Sequence, residues 1–242
     1  MKALDRGPGE EEHSISPARI VNQERVDYSL VKSWMRTCLH GHSRCSEGFR
    51  NHVVGMKVID CVQECLVMHK PEHNYIALSY VWGPPPKDKQ DQSTSSGNMF
   101  EDSPRVIRDA IHVTRELGYR YLWIDRYCIN QTDGEEKMSQ LTQMDLIYEN
   151  ADMTIVAGAG EDDRHGLPGA GSEPLLPRCT QPAARIGDIT VVSTLPEISH
   201  FLGKSRWATR GWTYQEAVLS RRCLMFFPTH VFFVCRTMCR SE

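Results

Sequence analysis

The chain has 242 residues, enough to bury a core without disulfide or metal staples and too few for a second large domain. With 28 Lys+Arg against 31 Asp+Glu the net charge is -3, so the global positive field that phosphate-backbone binding uses is missing and nucleic acid is not an expected partner. Hydrophobic residues at 40% and charged residues at 24% exclude collagen-like, mucin-like and wholly disordered composition.

The opening MKALDRGPGEEEHSISPAR has no apolar stretch of signal-peptide length and is acidic where a mitochondrial presequence is basic, so residues 1–22 read as a solvated tail. From Val26, the spacing of Val26, Leu30, Trp34 and Cys38 predicts an amphipathic helix of about four turns ending near Gly41. Lys57 to Asp60 and Cys65 to Met68 are short strand candidates. Residues 23–73 are expected to form a helical extension, and residues 74–242 a core that carries the motifs. That core opens with Tyr75-Ile-Ala-Leu-Ser-Tyr-Val-Trp82, an apolar run read as a central strand and closed by Gly83 and three prolines. Pro84 to Asp102 is polar and aperiodic, hence a loop or insertion.

Ser103-Pro104 reads as an N-cap and first turn, and Val106, Ile107, Ala110, Ile111 and Leu117 then mark a helix stopped at Gly118. A strand, Tyr121 to Asp125, comes next. Asp133-Gly-Glu-Glu opens a second helix, expected to run to Asn150 with Met138, Leu141, Met144, Ile147 and Tyr148 as its buried stripe. Met153 to Ala157 is the following strand. Alternation of strands and helices predicts βαβ units and a parallel sheet covered by helices. Gly158 to Pro182 reads as a loop, Asp188 to Ser193 as a strand, Glu197 to Leu202 as a helical turn and Trp212 to Leu219 as a short helix. Cys223 to Phe227 and Val231 to Cys235 close the chain as a hairpin. The most apolar window, Leu224 to Cys235, is interrupted by Pro228, Thr229 and His230 and falls short of the roughly 20 residues a bilayer span needs, so no membrane span is expected.

The nine cysteines, without a secretory signal, belong to a reducing compartment, which points to the cytoplasm and to free thiols. Cys38, His42 and Cys45 would share a face of a continued helix and have ligand types that suit zinc. No clear fourth ligand stands beside them; Cys61, Cys65, His69 and His73 lack tight pairing, and burial as small apolar residues outweighs metal binding. Phosphate loops and a nucleophile elbow are both absent. The ends of predicted strands carry Ser79, Trp82 and Asp125, where ligands of open α/β sheets bind. Glu216, in Arg210-Gly-Trp-Thr-Tyr-Gln-Glu, is expected among Trp212, Tyr214, Ala217 and Val218, surroundings that would desolvate its carboxyl and raise its pKa. Such a group serves a glycosidic carbon as nucleophile, stabilising charge or acid-base residue. The bland alternative is a salt bridge with Arg210, Arg221 or Arg222.

Three blocks together resemble the fungal heterokaryon-incompatibility (HET) domain: Tyr75-Ile-Ala-Leu-Ser-Tyr-Val-Trp-Gly83, Leu122-Trp-Ile-Asp-Arg-Tyr-Cys-Ile-Asn-Gln131 and Arg210-Gly-Trp-Thr-Tyr-Gln-Glu216. Gln143 to Asp152 and Trp34-x3-Cys38-x3-His42-x2-Cys45 support the resemblance, which runs from about Val26 to the C-terminus. It implies an effector of fungal nonself recognition that helps trigger cell death, with a separate sensor or incompatibility partner. HET domains are regarded as remote relatives of TIR domains, several of which cleave NAD at the nicotinamide-ribose bond. Trp212-x3-Glu216 has the spacing of the Trp-Cys-x-x-Glu signature carrying the TIR catalytic glutamate, with Thr213 in place of the Cys. The resemblance thus implies a TIR/flavodoxin-like, mostly parallel α/β sheet flanked by helices. It implies NAD as substrate rather than a tightly bound cofactor, Glu216 as the catalytic residue, and Ser79, Trp82, Asp125, Arg210 and Trp212 around it. Activity would require self-association into a homo-oligomer. The alternative it leaves open is a non-catalytic assembly module.

Overall fold

The computed structural model describes residues 20–46, 53–83, 100, 102–193 and 197–242. The expected tail up to residue 19 and the expected insertion across 84–99 lie outside the described residues. Helix α1 (Tyr28–Gly41) starts at Asp27, whose side chain accepts the Leu30 amide, and buries Tyr28, Val31, Trp34, Met35 and Cys38 as a stripe. A single turn, α2 (Ser43–Ser46), follows. Strands β1 (Lys57–Asp60) and β2 (Cys65–Met68) form an antiparallel hairpin, so the extension is not wholly helical.

Strand β3 (Tyr75–Ser79) is buried at every position, as a strand covered on both faces must be. It ends before the expected Trp82. Helix α3 (Arg105–Glu116) follows; contrary to the Ser103 expectation, Pro104 is its N-cap, and the Ser103 hydroxyl turns back to the Phe100 carbonyl at 2.7 Å. Strand β4 (Tyr121–Trp123) also stops short, because Asp125 opens the one-turn helix α4 (Asp125–Cys128). The long helix expected to Asn150 is two helices, α5 (Gly134–Leu141) and α6 (Met144–Asn150), parted at Thr142 and Gln143. Asp133 caps the first through the amides of Glu135 and Glu136. The break turns Met138 and Leu141 outward, 62% and 41% exposed, while Ile147 and Tyr148 stay in the core.

Strand β5 (Met153–Ala157) is again buried throughout. After a loop, β6 (Ala183–Ile186) and β7 (Ile189–Val192) form a separate two-stranded sheet, of which the sequence pattern indicated only the second strand. Then come α7 (Ile198–Leu202), a 3-10 turn over Trp207–Thr209, and α8 (Gly211–Leu219). Strands β8 (Arg222–Phe226), β9 (Val231–Cys235) and β10 (Cys239–Ser241) close the chain; the last was not anticipated.

The main sheet has eight strands in the order β10-β9-β8-β5-β3-β4-β1-β2. The four central strands, β8, β5, β3 and β4, run parallel, and both flanks are antiparallel. This is the expected α/β architecture with a parallel centre, helices around it and a C-terminal hairpin. Numbered by chain order, the parallel strands lie 2-1-3-4, so the direction of winding reverses between β3 and β5. A crevice opens at the carboxyl ends of strands where winding reverses, and that is where Ser79 stands. Fully buried Ile76, Leu78, Ile155 and Leu224 anchor the strands beneath it, each worth about 2–5 kcal/mol against truncation to Ala. Among the described residues no helix is long and apolar enough to cross a membrane.

Candidate active site

Ser79, the last residue of β3, is 1% exposed, and its hydroxyl links two side chains from the C-terminal part of the chain. It accepts the Trp207 indole N–H at 2.7 Å and donates to Oε2 of Glu216 on α8. The start of α8 is fixed by Thr213, whose buried hydroxyl donates to the carbonyls of Trp207 and Arg210. Tyr148 from α6 donates to the Leu78 carbonyl at 3.3 Å and also bonds the Glu216 carboxylate. Glu216 therefore sits over the end of the central strand, held by a serine and a tyrosine and backed by an indole.

Burial strips water from the Glu216 carboxyl and pushes its pKa up to about 7, with repulsion from Asp125 adding to the rise. The Ser79 and Tyr148 hydrogen bonds and the field of Arg210 oppose it without cancelling it. Asp125 is only partly withdrawn from solvent but densely surrounded, and loss of hydration pushes its carboxyl up to about 6. Its charged form is favoured by the Arg126 amide at 2.7 Å, the Trp82 indole N–H at 3.0 Å, and Arg210 and Arg126 nearby. Two carboxyls that interact and titrate near neutrality are what an acid-base or charge-stabilising site requires.

A cleft of about 190 Å³ opens beside Glu216, between the α5–α6 junction and α8. Leu141, Thr142, Tyr148, Trp212 and Gln215 are among its walls. Of the residues expected from sequence, Ser79 meets Glu216 directly, and Trp82 meets Asp125 directly. Arg210 donates to the Tyr80 carbonyl at 3.2 Å and influences both carboxyls through space. The salt-bridge alternative for Glu216 does not hold for Arg210, nor for Arg222, which donates to Cys38. Trp212 lines the cleft but is 69% exposed, and Val218 is 58% exposed. The expected desolvation of Glu216 by these two is thus corrected: β3, Tyr148 and Trp207 provide it, because the outer face of α8 looks to solvent.

Trp207, Tyr148 and Tyr80 were not anticipated in the site. The helical spacing of Tyr148 assigns it to the core, and no local pattern distinguishes a core tyrosine from one that touches a carboxylate. The Tyr80 hydroxyl is buried without a hydrogen-bond partner among the described residues, in the field of Asp125 and Arg126. Behind Trp82, Arg126 pairs with Asp163 at 2.8 Å, and a Cβ on Gly83 would push against that Asp163 carboxylate and disturb the pair.

The Cys/His cluster also assembles: the sulfur and nitrogen atoms of Cys38, His42, Cys45 and Cys235 lie within 4.8 Å of one another. Cys61, Cys65, His69 and His73 are not part of it. His69 instead meets Tyr75 edge to face, and His73 stacks on Tyr121.

The fold and site define a class: a wound α/β domain with a desolvated carboxylate at the reversal point of its sheet. Residues 75–216 match the family described as Heterokaryon incompatibility protein (HET), so the chain belongs to the HET family. The matched span begins at β3 and ends on Glu216. A 106-residue alignment is 36% identical to "Heterokaryon incompatibility protein 6, OR allele" of Neurospora crassa, taking in 38% of this chain and 15% of that protein. The chain thus corresponds to a small part of this relative's length. No solved structure matches it.

Proposed function

We propose that this chain is the effector module of a nonself-recognition reaction leading to cell death, acting in the cytoplasm by hydrolysing NAD at the nicotinamide-ribose bond. The observation that carries the chemistry is Glu216: a carboxylate poised near neutrality, held by Ser79 at the winding reversal, and open to a cleft. The C1'–N bond breaks, its electron pair leaves on the nicotinamide ring nitrogen, and the ribose becomes oxocarbenium-like. Ionised Glu216 stabilises that cation, and water then adds its oxygen to C1' and releases a proton, giving ADP-ribose and nicotinamide. Arg210 would hold a phosphate, exposed Trp212 would stack on a base, and Ser79 orients the carboxylate.

The cleft is small for a whole dinucleotide, which fits a site completed by self-association. The exposed apolar side chains among its walls, Trp212 and Leu141, support that step. They equally favour a second reading, a non-catalytic assembly module that triggers death through partner proteins.

Chromatography of NAD and nicotinamide with concentrated wild-type protein and Glu216→Gln, with and without a crowding agent, separates the two. Cleavage by wild type and loss with the variant is the expected result. Wild-type protein that is demonstrably oligomeric yet leaves NAD intact would remove the enzymatic reading in favour of the assembly module.

A further inference from the structure

The Cys38, His42, Cys45 and Cys235 cluster has no part in the chemistry proposed for Glu216, and it has its own logic. Cys38 lies in the last turn of α1, His42 caps that helix, Cys45 lies in α2 and Cys235 ends β9. Cys38, Cys45 and Cys235 reach a common point with His42 although 193 residues separate His42 from Cys235. The Cys235 sulfur stands 3.5 Å from Nδ1 of His42. In a tetrahedral zinc centre, with Zn–S of about 2.3 Å and Zn–N of about 2.0–2.1 Å, neighbouring ligand atoms stand about 3.4–3.8 Å apart. The observed separation matches such an edge.

The surroundings carry a second, independent sign. Arg222 is 2% exposed, and a buried guanidinium needs negative charge nearby. Among the described residues its hydrogen bonds go to the Cys38 sulfur at 3.1 Å and to the carbonyls of Asp152 and Cys45, none to a carboxylate. Three thiolates around a divalent cation leave one net negative charge, which Arg222 would neutralise. The Met238 amide donates to the Cys235 sulfur at 3.3 Å, and the Thr237 hydroxyl lies 3.8 Å from the Cys45 sulfur, contacts of the kind that orient and stabilise coordinated thiolates.

We propose that Cys38, His42, Cys45 and Cys235 bind a structural zinc ion that fastens the N-terminal helices to the C-terminal strand pair. Soft thiolates with one imidazole select zinc among the common divalent ions, and four protein ligands close the coordination sphere, which marks a structural rather than a catalytic site. The ion ties α1 to β9, the strand next to the β10 edge, and so secures the α1–α2 segment to the sheet over which Glu216 sits. Oxidation of two of these cysteines to a disulfide would be the competing fate of so close a set of thiols.

The test uses the full chain, purified with a reductant, exposed to zinc and freed of loose metal on a chelating column. Metal analysis should return roughly one zinc per chain for wild type and for Cys65→Ser and Cys239→Ser, and background for Cys235→Ser. Cobalt added to metal-free wild type should give the intense visible bands and sulfur-to-cobalt charge transfer of a tetrahedral thiolate-rich site. That spectrum decides the matter if Cys235→Ser fails to fold. Wild type that retains no zinc, a weak octahedral cobalt spectrum, or equal zinc in Cys235→Ser would each overturn the assignment. So would a Cys45–Cys235 or Cys38–Cys235 disulfide, mapped by mass spectrometry, in protein that takes up no zinc under reducing conditions.

Discussion

Replacing Glu216 by Gln should make the fold more stable in alkaline solution and leave it nearly unchanged in acid. The carboxyl has an ordinary value of 4.5 and is pushed up to about 7 by burial in the folded chain. Between those values the folded protein keeps a proton that the unfolded chain has released, so the unfolded state gains on the folded one as pH rises. The stabilising contribution of the neutral acid is complete below about pH 4.5 and is lost as pH climbs through about 7. At about 1.4 kcal/mol per pH unit, the full displacement amounts to about 3.5 kcal/mol. Gln keeps the carbonyl oxygen that the Ser79 hydroxyl can reach but carries no charge, so the variant escapes this loss. Asp125 titrates in both proteins and largely cancels in the difference, apart from the repulsion it exerts on Glu216. Urea unfolding of wild type and variant at about pH 4.5 and about pH 8, with midpoints and slopes compared, measures the effect. A stability difference that is the same at both pH values, or a variant less stable than wild type at the higher one, would refute the claim that Glu216 is held desolvated.

Ser79→Ala removes a hydrogen bond that favours ionised Glu216, so the pH at which stability is lost, followed by the same titration, should move upward. Gly158→Ala would put a Cβ 2.4 Å from the buried Phe227 ring and should cost about 1–3 kcal/mol, read as a lower unfolding midpoint. Arg178 and Glu242 form a 3.0 Å pair with both side chains almost fully buried; Arg178→Ala strands the carboxylate and should cost about 3–5 kcal/mol in chemical denaturation. Equal stability of that variant and wild type would show that water reaches the pair.

Much of the sheet was legible because its signals are local. The apolar runs read as strands over Tyr75 to Trp82, Tyr121 to Asp125 and Met153 to Ala157 hold the largely buried parallel strands β3, β4 and β5, the first two ending early at Ser79 and Trp123. Periodicity misled where two short helices follow each other, since Met138 and Leu141 keep helical spacing with Ile147 only if the helix is unbroken. The edge strands β6 and β10 were missed for a related reason: Ala183 to Ile186 and Cys239 to Ser241 are largely exposed, and without a buried face they show no alternation.

Local patterns mark most of the buried strands and helices, because helix and strand periods are properties of neighbouring residues. The sequence also marked Glu216, Ser79, Asp125 and the Cys38-His42-Cys45 group as chemically capable. Which of these residues meet is fixed by how the chain packs. Ser79 contacts Glu216 across 137 residues, Trp207 contacts Ser79 across 128, and Cys235 joins His42 across 193. Such closures depend on strand order and on which face each helix presents, and no local period encodes either. The perturbed carboxyl of Glu216 belongs to the same level: its pKa is set by the packing of β3, Tyr148 and Trp207 around it, not by its neighbours in the chain.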